Sequence, residues 1–390
     1  MGSNKYGIHY ASDSNKMGIM VQYPNESRND VVNKQKFGFW MYDKNLDLLW
    51  KKEVYMPYTE KKMDIYDKTI DREGNILIVA RVFNDETEKQ VVDNKINFHF
   101  EILKFTKDSK SPIVIPFKFE QNNVSQLQLF QDLSGQIVCS GFYVGKTNEG
   151  KIVVNSSAVD GSFFLSLDPN NNKLSNIHKG FYEIPKDVLK QYESDKEQKK
   201  IENEDAKDKG NTAANNLKLR SIYFELDGSL ILFGEQFYEV TRTSRNGNTT
   251  TTTTYYYYKD IIVQRIGGDG KLEWTKKIPK NQVQVNSDYG LGFRVLSTEN
   301  GFNVLFMDNL KNLNLSTDVP PATHSTGING ILVNVNLAYD GSIKKSKIFD
   351  TREMEVKLNI INADKVGDNS FINRAWIKKA SKICLLRFED

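Results

Sequence analysis

The sequence predicts an all-β fold, specifically a β-propeller of six four-stranded blades with a short helical insertion between blades three and four. Three observations carry that expectation. A turn rich in Asp, Glu and Gly is followed by an apolar strand again and again: Asp71-Arg72-Glu73-Gly74 before Asn75 to Ala80, Asp132-Leu133-Ser134-Gly135 before Gln136 to Cys139, Leu226-Asp227-Gly228 before Ser229 to Phe233, and Glu299-Asn300-Gly301 before Phe302 to Phe306. A second segment closes several units, with Asp47 to Val54 matching Lys271 to Ile278 and, more loosely, Asp340 to Ile348. Loop length also alternates along the chain. Repeats of this kind mark architectures in which each unit buries its apolar face on the next.

Taken in order, apolar alternation and β-branched or aromatic enrichment define the strands. The first unit covers Tyr6–Ser12, Met17–Tyr23, Phe37–Tyr42 and Leu48–Tyr55, and the second Met63–Ile70, Asn75–Phe83, Phe98–Phe105 and Ile113–Phe119. The third has Ser125–Gln131, Gln136–Val144, Ser162–Leu167 and Leu174–Tyr182; the fourth has Leu217–Glu225, Ser229–Val240, Tyr256–Ile266 and Leu272–Ile278. The fifth is Gly292–Thr298, Phe302–Asp308, Ile331–Leu337 and Ser342–Phe349. The sixth is Lys357–Ala363, Ser370–Ile377 and Lys382–Phe388, and it lacks a fourth strand. An unpaired last edge invites association, so either a strand from upstream of Lys5 completes it or the last blade stays three-stranded, and a seven-blade count with one blade unrecognised is the alternative. The whole of 1–390 reads as one propeller domain.

Turns between first and second strands and between third and fourth strands read as short, whereas second-to-third and fourth-to-first connections read as long. In an up-and-down sheet the long ones emerge on one side, where binding concentrates. Two differ in character. Segment 183–216 opens Ile184-Pro185-Lys186-Asp187, with Pro suited to a first helical position; Val188, Leu189 and Tyr192 form an apolar stripe, and a Lys/Glu-rich extension follows. Segment 237–266 carries Asn246-Gly247, a type I′ hairpin signal, between β-prone arms that include Thr249 to Thr254 and Tyr255 to Tyr258. Such a ribbon projects beyond its blade and offers Tyr255 and Tyr257 as contact residues.

Composition limits function. A net charge of +3 with both signs interspersed gives no field to collect nucleic acid, and no apolar run approaches the ~20 residues of a membrane helix. Met1 is followed by Gly2-Ser3-Asn4 and not by a basic-then-apolar leader, so a targeting segment is expected to have been lost. Cys139 and Cys384 lie in apolar strands of distant units and read as buried free thiols. His9, His99, His178 and His324 fall in four units with no metal-ligand spacing. The chain shows no nucleophile elbow, P-loop or zinc motif, and Asp168 to Lys179 departs from a calcium loop at its sixth and twelfth positions. No cofactor is expected.

The segment around Trp274 resembles the blade ends of pyrroloquinoline-quinone-type propellers, with Lys345 where the fifth unit would carry Trp. That resemblance implies a packing role for Trp50 and Trp274, buried between blades, and no cofactor. Phe37 to Val54 and Asp71 to Ala80 also resemble uncharacterised Bacteroidota cell-envelope propeller proteins, which implies export to the periplasm or cell surface. The expected function is non-enzymatic: a binding or scaffold module whose loop-bearing side takes a protein or a glycan, through rim residues Arg81, Tyr143, Tyr238, Arg294, Asp308, Arg374 and Trp376, with His324 in the same elaborated side. The alternative is a polysaccharide lyase or glycosidase working in the central funnel, which would need paired carboxylates with opposed pKa shifts beside a basic residue.

Overall fold

The computed structural model describes residues 5–388 apart from 12, 24–33, 118, 120–121, 133–134, 146–151, 154–156, 169–172, 207–213, 248, 327–328, 368–369 and 378–379. Among the described residues six antiparallel sheets of four or more strands follow one another along the chain. Sheet I is β1 (Lys5–Tyr10), β2 (Lys16–Gln22), β3 (Lys34–Asp43) and β4 (Leu48–Thr59) in that order. Sheet II begins with β5 (Met63–Ile70) and β6 (Ile76–Phe83); after the small ribbon β7 (Val91–Val92) and β8 (Lys95–Ile96) it resumes with β9 (Phe98–Phe105) and β10 (Ile113–Phe117). Sheet III is β11 (Asn123–Gln131), β12 (Ile137–Val144), β13 (Gly161–Asp168) and β14 (Lys173–Glu183), followed by α1 (Lys186–Lys190) and α2 (Asp195–Ala206). Sheet IV is β15 (Leu217–Phe224), β16 (Leu230–Asn246), β17 (Thr249–Ile266) and β18 (Leu272–Ile278), and β19 (Gln282–Val285) pairs with β17 beyond the end of β18.

Sheet V is β20 (Arg294–Thr298), β21 (Gly301–Asp308), β22 (Ile331–Ala338) and β23 (Ile343–Asp350). In sheet VI, β26 (Ser370–Ile377) pairs with β27 (Ala380–Arg387) on one edge and with both β24 (Val356–Leu358) and β25 (Asp364–Gly367) on the other. The single strand expected over Lys357–Ala363 is therefore broken, by a 3-10 turn at Ile360–Asn362. The break drops Ile360, fully buried, into the core between sheets V and VI, while the Asn359 carbonyl accepts from Asn373 Nδ2 at 3.1 Å.

The turn marker has a simple cause. Asp71 Oδ1 accepts the Asn75 N–H at 2.7 Å and Asp132 Oδ1 accepts that of Gln136 at 2.8 Å, while the backbone closes from Gly74 N to Asp71 O. Gly74 sits at φ 82°, where a side chain is strained. The strands between turns bury on both faces, and the apolar clusters join sheets strictly in chain order: I with II, II with III, III with IV, IV with V and V with VI.

Polar links reinforce the order. The first strands of sheets II, III and IV each carry a bulge, between Ile65 and Asp67, Val124 and Gln126, and Leu219 and Ser221. Beyond it a side chain reaches the next first strand: Asp67 accepts from Leu129 N at 2.7 Å, and Gln126 spans Leu219 N (2.8 Å) and Leu217 O (2.9 Å). At the opposite edge, the fourth strands of sheets I, III and IV each hold a turn of a following sheet: sheet I reaches sheet II, sheet III reaches sheet IV, and sheet IV reaches sheet V. Lys52 Nζ donates to Thr106 O (2.8 Å), Tyr182 OH to Gly270 O (2.7 Å) and Trp274 Nε1 to Tyr339 O (3.0 Å). Trp50 and Trp274 are half-buried, not enclosed between sheets as expected, because the fourth strand is the edge strand of its sheet.

Two loop expectations need correcting. Fourth-to-first links are not generally long: β4 runs on to Thr59 and reaches β5 through a turn closed from Lys62 N to Thr59 O at 3.0 Å, and 118–122 alone separates β10 from β11. Asn246 pairs with Thr249, so Asn246 belongs to the ribbon's arm and the turn begins at Gly247, one place later than expected. Among the described residues no helix is long and apolar enough to cross a membrane. The side chain of His178 lies outside the described residues.

Candidate functional site

Three elongated connections, from three separate stretches of chain, meet around one cavity of about 320 Å³: the α1–α2 segment, the base of the β16–β17 ribbon, and the β21–β22 loop at Pro320 and Pro321. The segment docks through Ile184 and Leu189, which pack with Phe142, Leu217 and Ile262, and Ile201 of α2 adds to the same cluster. The expected single helix is two, because the chain turns out of α1 with Tyr192 at φ 60°. Lys277 Nζ binds the Leu189 carbonyl at 3.0 Å and the Glu193 carboxylate at 2.8 Å, satisfying a carbonyl that the end of α1 leaves open.

Beneath the cavity lies a charged network of unusual depth. Lys280 is fully buried, its Nζ 2.8 Å from Glu235 Oε1 and 3.1 Å from Gln282 Oε1. Glu235 also takes Arg220 Nε at 2.8 Å. Asp260 accepts the Lys280 N–H at 2.9 Å and lies 3.2 Å from Lys277 Nζ. Buried charges of this kind persist only when paired, and here Arg220, Lys277 and Lys280 face Glu235, Asp260 and Glu193. Burial pulls the Lys280 ammonium below its ordinary pKa and pushes the Glu193 carboxyl up.

Lys259 stands apart. Its Nζ donates to the neutral Asn281 Oδ1 at 2.5 Å and lies 5.7 Å from the Tyr257 ring centre, and among the described residues it has no carboxylate within ion-pair distance. Burial holds its pKa below the usual lysine value. Tyr238, stacked on Tyr257 with ring centres 4.7 Å apart, lines the same cavity. Tyr255 continues that row at 6.4 Å, beneath the Arg242 guanidinium.

The other sequence-derived candidates are dispersed. Asp308 and His324 line a second cavity of about 380 Å³ in sheet V, where Asp308 is buried against Lys345 Nζ (2.6 Å) and Asn312 Nδ2 (2.7 Å). Burial pushes His324 down to about 4, and its Nε2 has no hydrogen-bond partner among the described residues. Arg374 and Trp376 sit together on β26, with Tyr289 5.8 Å from the indole. Arg81 pairs with Asp64 at 2.6 Å and is enclosed by Tyr66, Phe83 and Phe98. Tyr143 is buried against Phe181, and Arg294 heads β20 half-buried. Of the rim residues, Tyr238 alone reaches the cavity beside the network. Sequence reading missed Lys259, Asp260, Lys277 and Lys280; the available signal was Lys259-Asp260 interrupting the apolar arm from Tyr255 to Ile266.

A scan against protein-family models gave no match, and neither did a search of curated proteins. Among solved structures, a protein of unknown function from Dyadobacter fermentans is similar at 9% identity and a TM-score of 0.38, covering 97% of this chain and 92% of that one. A polysaccharide lyase described as an ulvan lyase matches at 9% identity and TM-score 0.33 over 88% and 81% of the two chains. A putative gluconolactonase matches at 10% identity and TM-score 0.29 over 99% and 90%. Each is a loose likeness in shape and assigns no activity.

Proposed function

We propose that the six sheets are the blades of one propeller and that the protein is a non-enzymatic recognition module, binding a glycan or a protein on the side where its long connections emerge. What supports the reading is the convergence of three such connections on one cavity whose buried charges, Lys259 apart, are matched internally. A rigid, prepaid network of that kind suits a preorganised binding wall. The likeness of Phe37 to Val54 and Asp71 to Ala80 to envelope propellers supports an exported location, testable by cell fractionation. The test of binding is capture of glycans and envelope proteins by the full chain, compared with a chain whose ribbon is cut at Thr241–Thr254 and with Tyr238→Ala. Both variants are expected to lose capture; capture unchanged in both would overturn the reading.

The lyase or glycosidase alternative draws on one observation, Glu193 pushed up and Lys259 pushed down at a single cavity, a pattern found at catalytic sites. Release of new reducing or unsaturated sugar ends from a polysaccharide by the wild-type chain, lost in Lys259→Met, would favour it.

A further inference from the structure

We propose that the cavity takes a carboxylate-bearing oligosaccharide, with the acid group on Lys259 Nζ; this rests on the binding reading above and narrows it to a ligand class. The argument begins from charge. Arg220, Lys277 and Lys280 each have a carboxylate of the chain at 2.8–3.2 Å, so none needs a ligand. Lys259 is half-buried, its Nζ hydrogen-bonds an amide oxygen and lies over an aromatic ring, and the Asp260 and Glu193 carboxylates act on it only from beyond ion-pair distance. A cation that has given up much of its hydration without an anionic partner gains most from an anion brought to it.

The rest of the wall points to a sugar. Asn215, Asn216 and Gln236 present side-chain amides beside Lys259, and the amides of Asn215 and Asn216 make no hydrogen bond among the described residues. Amides supply both donors and acceptors, which suits ring hydroxyls, while Tyr238 supplies an aromatic surface for the apolar face of a pyranose. The volume of about 320 Å³ falls at the small end of ligand cavities, which run ~300–1,000 Å³. The Lys200 and Glu197 pair at the α2 side closes the wall with matched charge.

The test is calorimetric titration of the full chain with oligogalacturonates, their methyl esters and an oligoglutamate peptide. The acid sugar is expected to bind, its ester at least tenfold more weakly, and affinity for the acid to fall as salt is raised. Lys259→Met is expected to lose at least tenfold for the acid and little for the ester with the melting temperature kept, and Lys259→Arg to retain most of the affinity. Equal binding of acid and ester, or indifference to Lys259→Met, overturns the acid class while leaving sugar binding in place. Binding of oligoglutamate alone, or of no probe while ribbon-dependent protein capture persists, overturns the sugar and leaves the binding side standing. Loss of all capture removes both readings.

Discussion

Lys280 is the residue on which the interior of sheet IV turns. Its ammonium is wholly enclosed and holds Glu235, which Arg220 holds from the other side. Lys280→Met should cost about 3 kcal/mol in urea unfolding, at the low end of the ~3–5 kcal/mol for breaking a buried pair because Arg220 stays on Glu235; a loss below ~1 kcal/mol would show the network is dispensable. His324 gives a prediction of opposite chemistry. Its folded pKa of about 4 lies below the unfolded value of 6.5, so between these pH values the unfolded chain binds the extra proton. Stability should therefore be full above pH ~6.5 and fall as pH drops toward ~4, by up to about 3 kcal/mol. Asp308 favours the charged ring, and Lys280 and Arg352 oppose it. His324→Gln should flatten this part of the profile relative to wild type; parallel profiles would show that the imidazole titrates alike in both states.

At the scale of elements, the turns and strands were legible because their signals are local. Asp71 and Asp132 act on residues four positions away, and Gly74 answers a backbone angle. The broken first strand of sheet VI was not, since Ile360 leaves the strand to fill a space set by sheet V. The network was hidden for the same reason: Glu235 and Asp260 are ordinary strand residues and Lys280 an ordinary residue of the link between β18 and β19 until Arg220 and Glu193, distant in sequence, complete them. The ribbon offers the cleanest test of separability. Its described residues from Thr241 to Thr252 are exposed, and the arms are held by cross-strand Thr pairs such as Thr241 with Thr254 at 3.1 Å. Replacing Thr241–Thr254 with a two-residue turn, while keeping Tyr255–Tyr258 paired to β19, should move the melting temperature by no more than about 2 °C, because loop length enters stability only slowly. A drop of ten degrees or more would make the ribbon part of the core.

For the whole molecule the open question is how the stack of sheets ends. Sheet I turns Tyr6, Ile8 and Tyr10 outward at 76%, 51% and 63% exposure, and sheet VI turns out Ile383 and Leu385 at 76% and 52%. Register places Ile8 across from Ile19 and Tyr6 from Val21, with Trp40 next along, so the first of these faces is apolar across three strands. Exposed patches of that kind mark contact surfaces. Closing the stack into the proposed ring would bury both faces at once, at a gain of roughly 25 cal/mol for each Å² removed from water. The ring therefore predicts that Ile8→Lys and Ile383→Lys each destabilise by more than ~1 kcal/mol and that the double variant departs from their sum, since residues in contact couple and distant ones do not. Single losses within ~0.5 kcal/mol that simply add are what an open stack requires. Losses that appear only as protein concentration rises would mean that the two faces meet between copies, a head-to-tail contact that propagates unless its rotation closes.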